Sequence, residues 1–264
     1  KGFYIMDEKL RESSLTINIE ESILNDVLNR VKNSRLISDF GNKEWKYGTE
    51  ETYLKDLIEY WSNNYDWKKQ EKEINKFSHY KIEIDNIPIH FIYEKGSSEN
   101  SKPLILTHGW PWTFWDYKKI IEPLTHPEKY GGKTSDSFDV IIPSLPGYGF
   151  STPLKKTGIN FWKTSDIWVK LMTDILGYEK FFAHGGDWGA AVTLQLGHKY
   201  SNIVPAIHTH MAVPIDFVTN PHPDISFYSD SEKKWHEKNM NFVNGGNGYF
   251  QIQASRPQTL AYGL

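Results

Sequence analysis

Between Phe181 and Tyr200 the chain reads FFAHGGDWGAAVTLQLGHKY, an apolar strand-like run that breaks at two glycines and restarts with helical spacing. A strand that becomes a helix over so few residues brings backbones close together, and small residues stand where that closeness falls. Gly185 and Gly189 lie two before and two after Asp187, and Ala190 and Ala191 open the helix. Such a turn pushes one side chain outward, and here it is Asp187. A serine in that place must lose a proton before it attacks, whereas a carboxylate of ordinary pKa, about 3.9, is ionised at neutral pH. Asp187 is therefore either a ready nucleophile or a helix N-cap that accepts backbone N–H bonds. An N-cap does not need glycine on both sides, and the rest of the chain has to decide between the two.

The wider composition narrows the classes. A chain of 264 residues suits one large domain, or one domain with an appendage, and is long enough to bury a full core. Acidic and basic residues nearly balance, at net charge −3, and are mixed along the chain, so there is neither a footprint for nucleic acid nor a basic amphipathic anchor. Cysteine is absent, which excludes disulfides and thiol catalysis and makes the cytoplasm the expected compartment, with secretion still open. No apolar run reaches the roughly 18 residues of a membrane span. Ten Trp and fifteen Tyr suit a pocket for an apolar ligand as well as an ordinary core.

In chain order, residues 1–80 read as helical. Ile23, Leu24, Val27, Leu28 and Val31 mark one helix, Tyr53, Leu54, Leu57, Ile58 and Trp61 a second, and YDWKKQEKEINKF a charged surface helix. From Tyr80 the period changes to two: KIEI and IPIHFIYE predict a β-hairpin across Asp85-Asn86. PLILTHGWP is a buried strand that ends in a loop, and Phe114 to Leu124 reads as a helix. FDVIIPSLPGYGFS gives another buried strand, about Phe161 to Leu176 another helix, then come the Asp187 strand and IVPAIHTHM. Strands alternating with helices predict an α/β architecture: a mostly parallel sheet, covered on both faces, with ligands at the carboxyl ends of its strands. HGWP, LPGYGFS and GGDWG all fall at such ends, and from about Val213 the alternation is lost.

Taken together these motifs resemble one family. EYWSNNYDWKKQEKEINKF is similar to the N-terminal domain of epoxide hydrolases of the microsomal and juvenile-hormone branch. HGWP, PGYGFS and GGDWG follow in that family's order, and NGYFQIQASRPQTLAYGL is similar to part of its cap. The resemblance implies an α/β-hydrolase fold, with a non-catalytic helical extension over 1–80, the first part of the core over 81–213 and the start of a helical cap over 214–264. It implies hydrolysis of apolar or aromatic epoxides to vicinal diols through a covalent ester on Asp187, with Tyr249 as proton donor to the ring oxygen. The backbone N–H groups of Trp110 and Trp188 would face the oxyanion. The implied partners are a small-molecule epoxide and water, with no cofactor and no metal. In the family the general base, its acid partner and a second tyrosine follow the cap, so they are expected beyond Leu264.

Ten histidines are present, and none has a convincing position for the base. His108 and His184 read as satisfied structural imidazoles. His208 and His210 share a strand face without Cys, Asp or Glu ligands in pattern, which argues against zinc. His210, where the family usually has Asn, and Trp112, where small residues are common, depart from the pattern. Haloalkane dehalogenases share the Asp elbow but usually carry Asn where this chain has Trp110. A dehalogenase-like hydrolase and a non-catalytic binding protein on the same fold are the alternatives.

Overall fold

The computed structural model describes residues 10–211, 223–246 and 248–263. The chain divides after Met211 into two compact units, and the domain boundary expected at 213/214 lies outside the described residues.

In the first unit the sheet begins with a hairpin of β2 (His79–Ile84) and β3 (Ile87–Glu94), in register from His79 opposite Ile92 to Ile84 opposite Ile87. Its two-residue link places Asp85 and Asn86 at φ 55° and 60°, the left-handed pair that a tight hairpin with the right twist requires. Asp and Asn tolerate that region without glycine's help. Hydrogen bonds from Lys170 (2.6 Å) and Lys163 (3.0 Å) fasten the Asp85 carboxylate to the neighbouring helix and hold its pKa at about 2.

Beyond the hairpin come β4 (Lys102–Thr107), β5 (Phe138–Pro143), β6 (Phe182–Gly185) and β7 (Ile207–Thr209). With the short β1 (Ser14–Leu15) the order across the sheet is β1-β2-β3-β5-β4-β6-β7. The pairs from β5 through β4 and β6 to β7 are parallel, while β3 meets β5 antiparallel. Pro88 is tolerated within β3 because pairing with β5 starts only at Phe91. After β4 the chain moves to β5 on one side, then to β6 on the other, so the carboxyl ends of these three strands lie together at a topological switch point.

Alternate strand residues feed two cores. Ile105 and Ile141 face Trp168 and Leu171 of α5 (Phe161–Lys170) and its continuation, and Val192 and Leu196 of α6 (Trp188–Lys199). Leu106, Val140 and Ile142 face Ile74, Phe114 and Ile121 on the opposite side. Covering both faces explains why these strands show no polar alternation. The expected α/β sheet of the α/β-hydrolase type is thus present.

The extension differs from its helical reading in two respects. Its helices α1 (Glu21–Lys32), α2 (Glu51–Asn63) and α3 (Trp67–Ile74) lie where the periodicity places them. Yet Ser14–Leu15 is a strand, Ser14 opposite Tyr80, so this region contributes the sheet's outer edge; two residues are too short to show a period of two. Nor is α3 only a surface helix. Glu71 and Ile74 are buried, and the Glu71 carboxylate accepts from the Ile19 N–H (2.7 Å) and the Trp67 indole (3.0 Å) beside Lys68 (2.9 Å). The stretch Phe114 to Leu124 also departs from a single helix, forming a 3-10 turn (Phe114–Tyr117) and then α4 (Ile121–Thr125). Pro123 has no N–H for a helix interior and is accommodated in the first turn of α4.

The second unit, by itself, has a 3-10 turn (Ile225–Phe227) capped by Asp224, then α7 (Lys233–Asn241), α8 (Gly248–Ser255) and α9 (Pro257–Gly263). Among the described residues no helix is long and apolar enough to cross a membrane.

Burial alone would raise the Glu71 carboxyl, but the bonds from Ile19, Lys68 and Trp67 outweigh it and hold the pKa below the usual range. A depressed carboxyl contributes stability above its unfolded pKa and loses that contribution as pH falls through its folded pKa. Glu71→Gln is expected to cost about 1–3 kcal/mol in urea unfolding near neutral pH, with the difference shrinking in acid as the pH falls through the folded pKa. An equal loss at neutral pH and in acid would contradict the assignment of that stability to the charged carboxylate.

Candidate functional site

Gly185 ends β6 and Trp188 begins α6, which leaves Gly186 and Asp187 to make the whole turn. Asp187 takes φ 54° and ψ −126°, a left-handed φ that residues with a Cβ rarely adopt and that stores strain of about 1–3 kcal/mol. The neighbouring glycines answer to close contact. A Cβ on Gly189 would sit 1.9 Å from the Thr107 carbonyl oxygen at the end of β4, and one on Gly109 would sit 2.4 Å from the Asp187 Cβ. The first turn of α6 is therefore pressed against the end of β4, and the HGWP loop is pressed against Asp187.

The capping alternative fails on geometry, since the Asp187 side chain makes no cap hydrogen bond to α6. Its Oδ1 instead accepts from the Trp110 backbone N–H at 3.0 Å, a bond between residues 77 apart in sequence. Trp188, at the first position of α6, has an N–H without an intrahelical partner, as every helix start does. Its indole is exposed, as is that of Trp112. The structure thus brings together Asp187, Trp110 and the start of α6. Tyr249 lies on α8 of the second unit with an exposed side chain.

The histidines separate into different environments. His108 is buried and bonded at both ring nitrogens, to the Gly109 carbonyl (2.9 Å) and to the Leu145 N–H (3.1 Å). His184 stacks on His208 with their Nδ1 atoms 2.8 Å apart, and the ring of His210 lies 5.4 Å from that of His184. Burial and these neighbouring imidazoles push the His184 pKa down. Among the described residues no group of three or more His, Asp or Glu side chains is placed to hold a metal ion.

Two residues at the elbow escaped the sequence reading. Tyr148, in the PGYGFS loop, has its phenol pushed up by burial and by the charge of Asp187. Asp116, in the 3-10 turn after HGWP, is raised by burial against a smaller opposing effect of His210, whose ring occupies the space a Cβ on Gly186 would need. Position at a strand's carboxyl end was the available signal for Tyr148; for Asp116 the sequence held none. An apolar groove of about 690 Å³ lined by Leu24, Leu28, Leu57, Trp61 and Trp67 lies in the extension, not beside Asp187.

The strain at Asp187 makes a sharp comparison. In ordinary helical or extended backbone, Gly is less stable than Ala by about 0.5–1 kcal/mol. Asp187→Gly is expected to exceed Asp187→Ala in stability, by about 1 kcal/mol, because both lack the carboxylate and only Ala keeps a Cβ at positive φ. Urea unfolding of the pair measures it, and the ordinary order, Ala above Gly, would contradict the strained elbow.

Comparison with known proteins agrees with this geometry. Residues 12–117 match the family model described as the epoxide hydrolase N terminus, and residues 102–250 match that of the alpha/beta hydrolase fold. Epoxide hydrolase 1 of Oryctolagus cuniculus is 33% identical over 98% of this chain and 59% of its own length. The juvenile hormone epoxide hydrolase of Manduca sexta is 31% identical over 98% of this chain and 57% of its own. This chain thus spans little more than half the length of these curated relatives. The crystal structure of juvenile hormone epoxide hydrolase from the silkworm Bombyx mori superposes with a TM-score of 0.81 at 25% identity, over 95% of this chain and 61% of that one. A strained Asp between close-packed glycines, an amide of the HGWP loop on its carboxylate and matches along the whole described length lead to one conclusion: the chain belongs to the alpha/beta hydrolase fold family, with the microsomal and juvenile-hormone epoxide hydrolases as its kin.

Proposed function

We propose that the protein hydrolyses epoxides of apolar or aromatic molecules to vicinal diols through a covalent ester on Asp187. The observation that carries this reading is the Trp110 N–H on Oδ1 of Asp187, 3.0 Å away, because it makes the two carboxylate oxygens unequal. The oxygen bound to the amide is stabilised where it lies, and the other is free to attack. In the first step Oδ2 bonds to a ring carbon, the carbon–oxygen bond of the ring breaks, and its electron pair passes to the ring oxygen. Tyr249 donates the proton that this oxygen takes up, as a phenolic O–H placed by a departing alkoxide can. In the second step water adds to the ester carbon and negative charge grows on Oδ1. The amides of Trp110 and Trp188 face that charge, and losing one such donor typically costs about 10²–10³ in rate. Collapse of the adduct releases the diol and restores the carboxylate, which keeps one oxygen from water; of that water's two protons, one passes to the departing diol oxygen and the other restores the Tyr249 phenol. None of the ten histidines is assigned as the base that activates this water.

Residues 1–80 are assigned a non-catalytic role and residues 214–264 to a cap, on the resemblance at the extension and around Tyr249. A cysteine-free chain suits a reducing compartment such as the cytoplasm.

The natural protein, given a styrene-type epoxide and an alkyl chloride side by side, is expected to yield diol from the first and no halide from the second. Halide without diol would move the assignment to dehalogenation. Within the same reading, Tyr249→Phe is expected to slow ester formation by about 10²-fold or more while leaving ester hydrolysis nearly unchanged. Single-turnover kinetics separates the steps, and an unaltered rate of ester formation would return Tyr249 to a packing role.

A further inference from the structure

We propose that His108 is a positioning residue that aims the Trp110 N–H at Asp187, resting on the reading of Asp187 as nucleophile. The Gly109 carbonyl and the Trp110 N–H are the two ends of one planar peptide unit. Holding the oxygen at one end fixes the direction of the N–H at the other. His108 Nδ1 lies 2.9 Å from the Gly109 oxygen, and Trp110 N lies 3.0 Å from Asp187 Oδ1.

The partners leave the imidazole one arrangement. A carbonyl oxygen only accepts, so Nδ1 carries the proton; the Leu145 N–H, 3.1 Å from Nε2, only donates, so Nε2 is bare. His108 is therefore neutral, in the Nδ1–H tautomer, and burial favours the neutral form by pushing its pKa down. The second arm has a firm anchor. Ser144, next to Leu145, donates its N–H to the His90 carbonyl (2.8 Å) and accepts at its own carbonyl from the Ser151 hydroxyl (2.8 Å). Its hydroxyl also meets His90 Nδ1 at 2.9 Å.

This clamp answers a specific weakness. Position 109 has to be glycine because a Cβ there would strike Asp187, and glycine leaves its peptide free to swing through conformations that other residues exclude. The unit whose direction matters most is thus the one least restrained by local sterics. His108 restrains it from behind, and a carbonyl already bonded also leaves its own N–H a somewhat stronger donor.

Two substitutions separate the arms. In His108→Asn the side-chain amide places a donor near the position of Nδ1 and gives up the link to Leu145. In His108→Gln the longer side chain reaches the Leu145 N–H and gives up the Gly109 carbonyl. Rapid-quench measurement on the natural protein is expected to show ester hydrolysis slowed by about 10²-fold in His108→Gln, with ester formation much less affected, and hydrolysis close to the natural rate in His108→Asn. Equal hydrolysis rates in the two variants, or equal losses in both steps, would overturn the proposal, since loop fastening alone predicts either. Should a variant not fold, nitrogen-15 spectra of the natural protein decide: a protonated Nδ1 and bare Nε2 at His108 support the clamp, and the opposite tautomer overturns it. Failure of the natural protein to form any ester on Asp187 would fall on the nucleophile reading, while the tautomer still reports whether His108 holds the Gly109 carbonyl.

Discussion

The contact on which the rest depends is the approach of the α6 first turn to the end of β4. A parallel sheet buried on both faces places the ends of β4, β5 and β6 together, but only small residues let a helix begin directly over a neighbouring strand. Gly185 and Gly189 permit that closeness, and it forces Asp187 into a positive φ. The strained residue then faces the loop after β4, where one backbone N–H finds its carboxylate. Strain at the elbow is set against the core on the Trp168 side of the sheet, where fully buried Trp168, Phe91 and Phe181 supply large apolar contact. A shift of about 1 Å between β4 and β6 would break this bond, which is why the site sits on strands rather than on a mobile loop.

Much of this was legible in the sequence, for reasons that differ between elements. The elbow announced itself because close packing demands small residues at fixed offsets, and the hairpin because its alternation breaks at two residues that tolerate positive φ. Buried strands such as PLILT stood out as short apolar runs. What stayed hidden depends on partners distant in the chain. The pairing of Ser14 with Tyr80 leaves no periodic trace, and Glu71 resembles a solvated charge until the Ile19 N–H arrives from 52 residues away. Nor did composition separate His108 from the other histidines. The motif marked its place, and only the two ring contacts show that it touches both loops of the site.

The same hydrogen bonds tie the extension to the sheet's carboxyl end. The Ile74 carbonyl at the end of α3 meets His79 Nε2 at 2.9 Å, His79 Nδ1 meets His90 Nε2 at 2.9 Å, and His90 continues to Ser144. Burial holds the His90 pKa at about 3 and pushes that of His79 down as well, so the neutral form is favoured along this file of rings. Its order gives the extension a structural part in the core. A helical appendage and a hydrolase core thus share one buried polar file whose end lies beside the anchor of His108.

The central claim is that the Trp110 amide divides the two oxygens of Asp187 between stabilisation and attack. The most direct measurement is a crystal structure of the natural protein trapped as its ester with a slowly hydrolysed epoxide. The account predicts the new carbon–oxygen bond at Oδ2, with Oδ1 still within hydrogen-bond distance of the Trp110 N–H and now reached by that of Trp188 as well. An ester formed through the oxygen facing Trp110, or one carried by a residue other than Asp187, would contradict it.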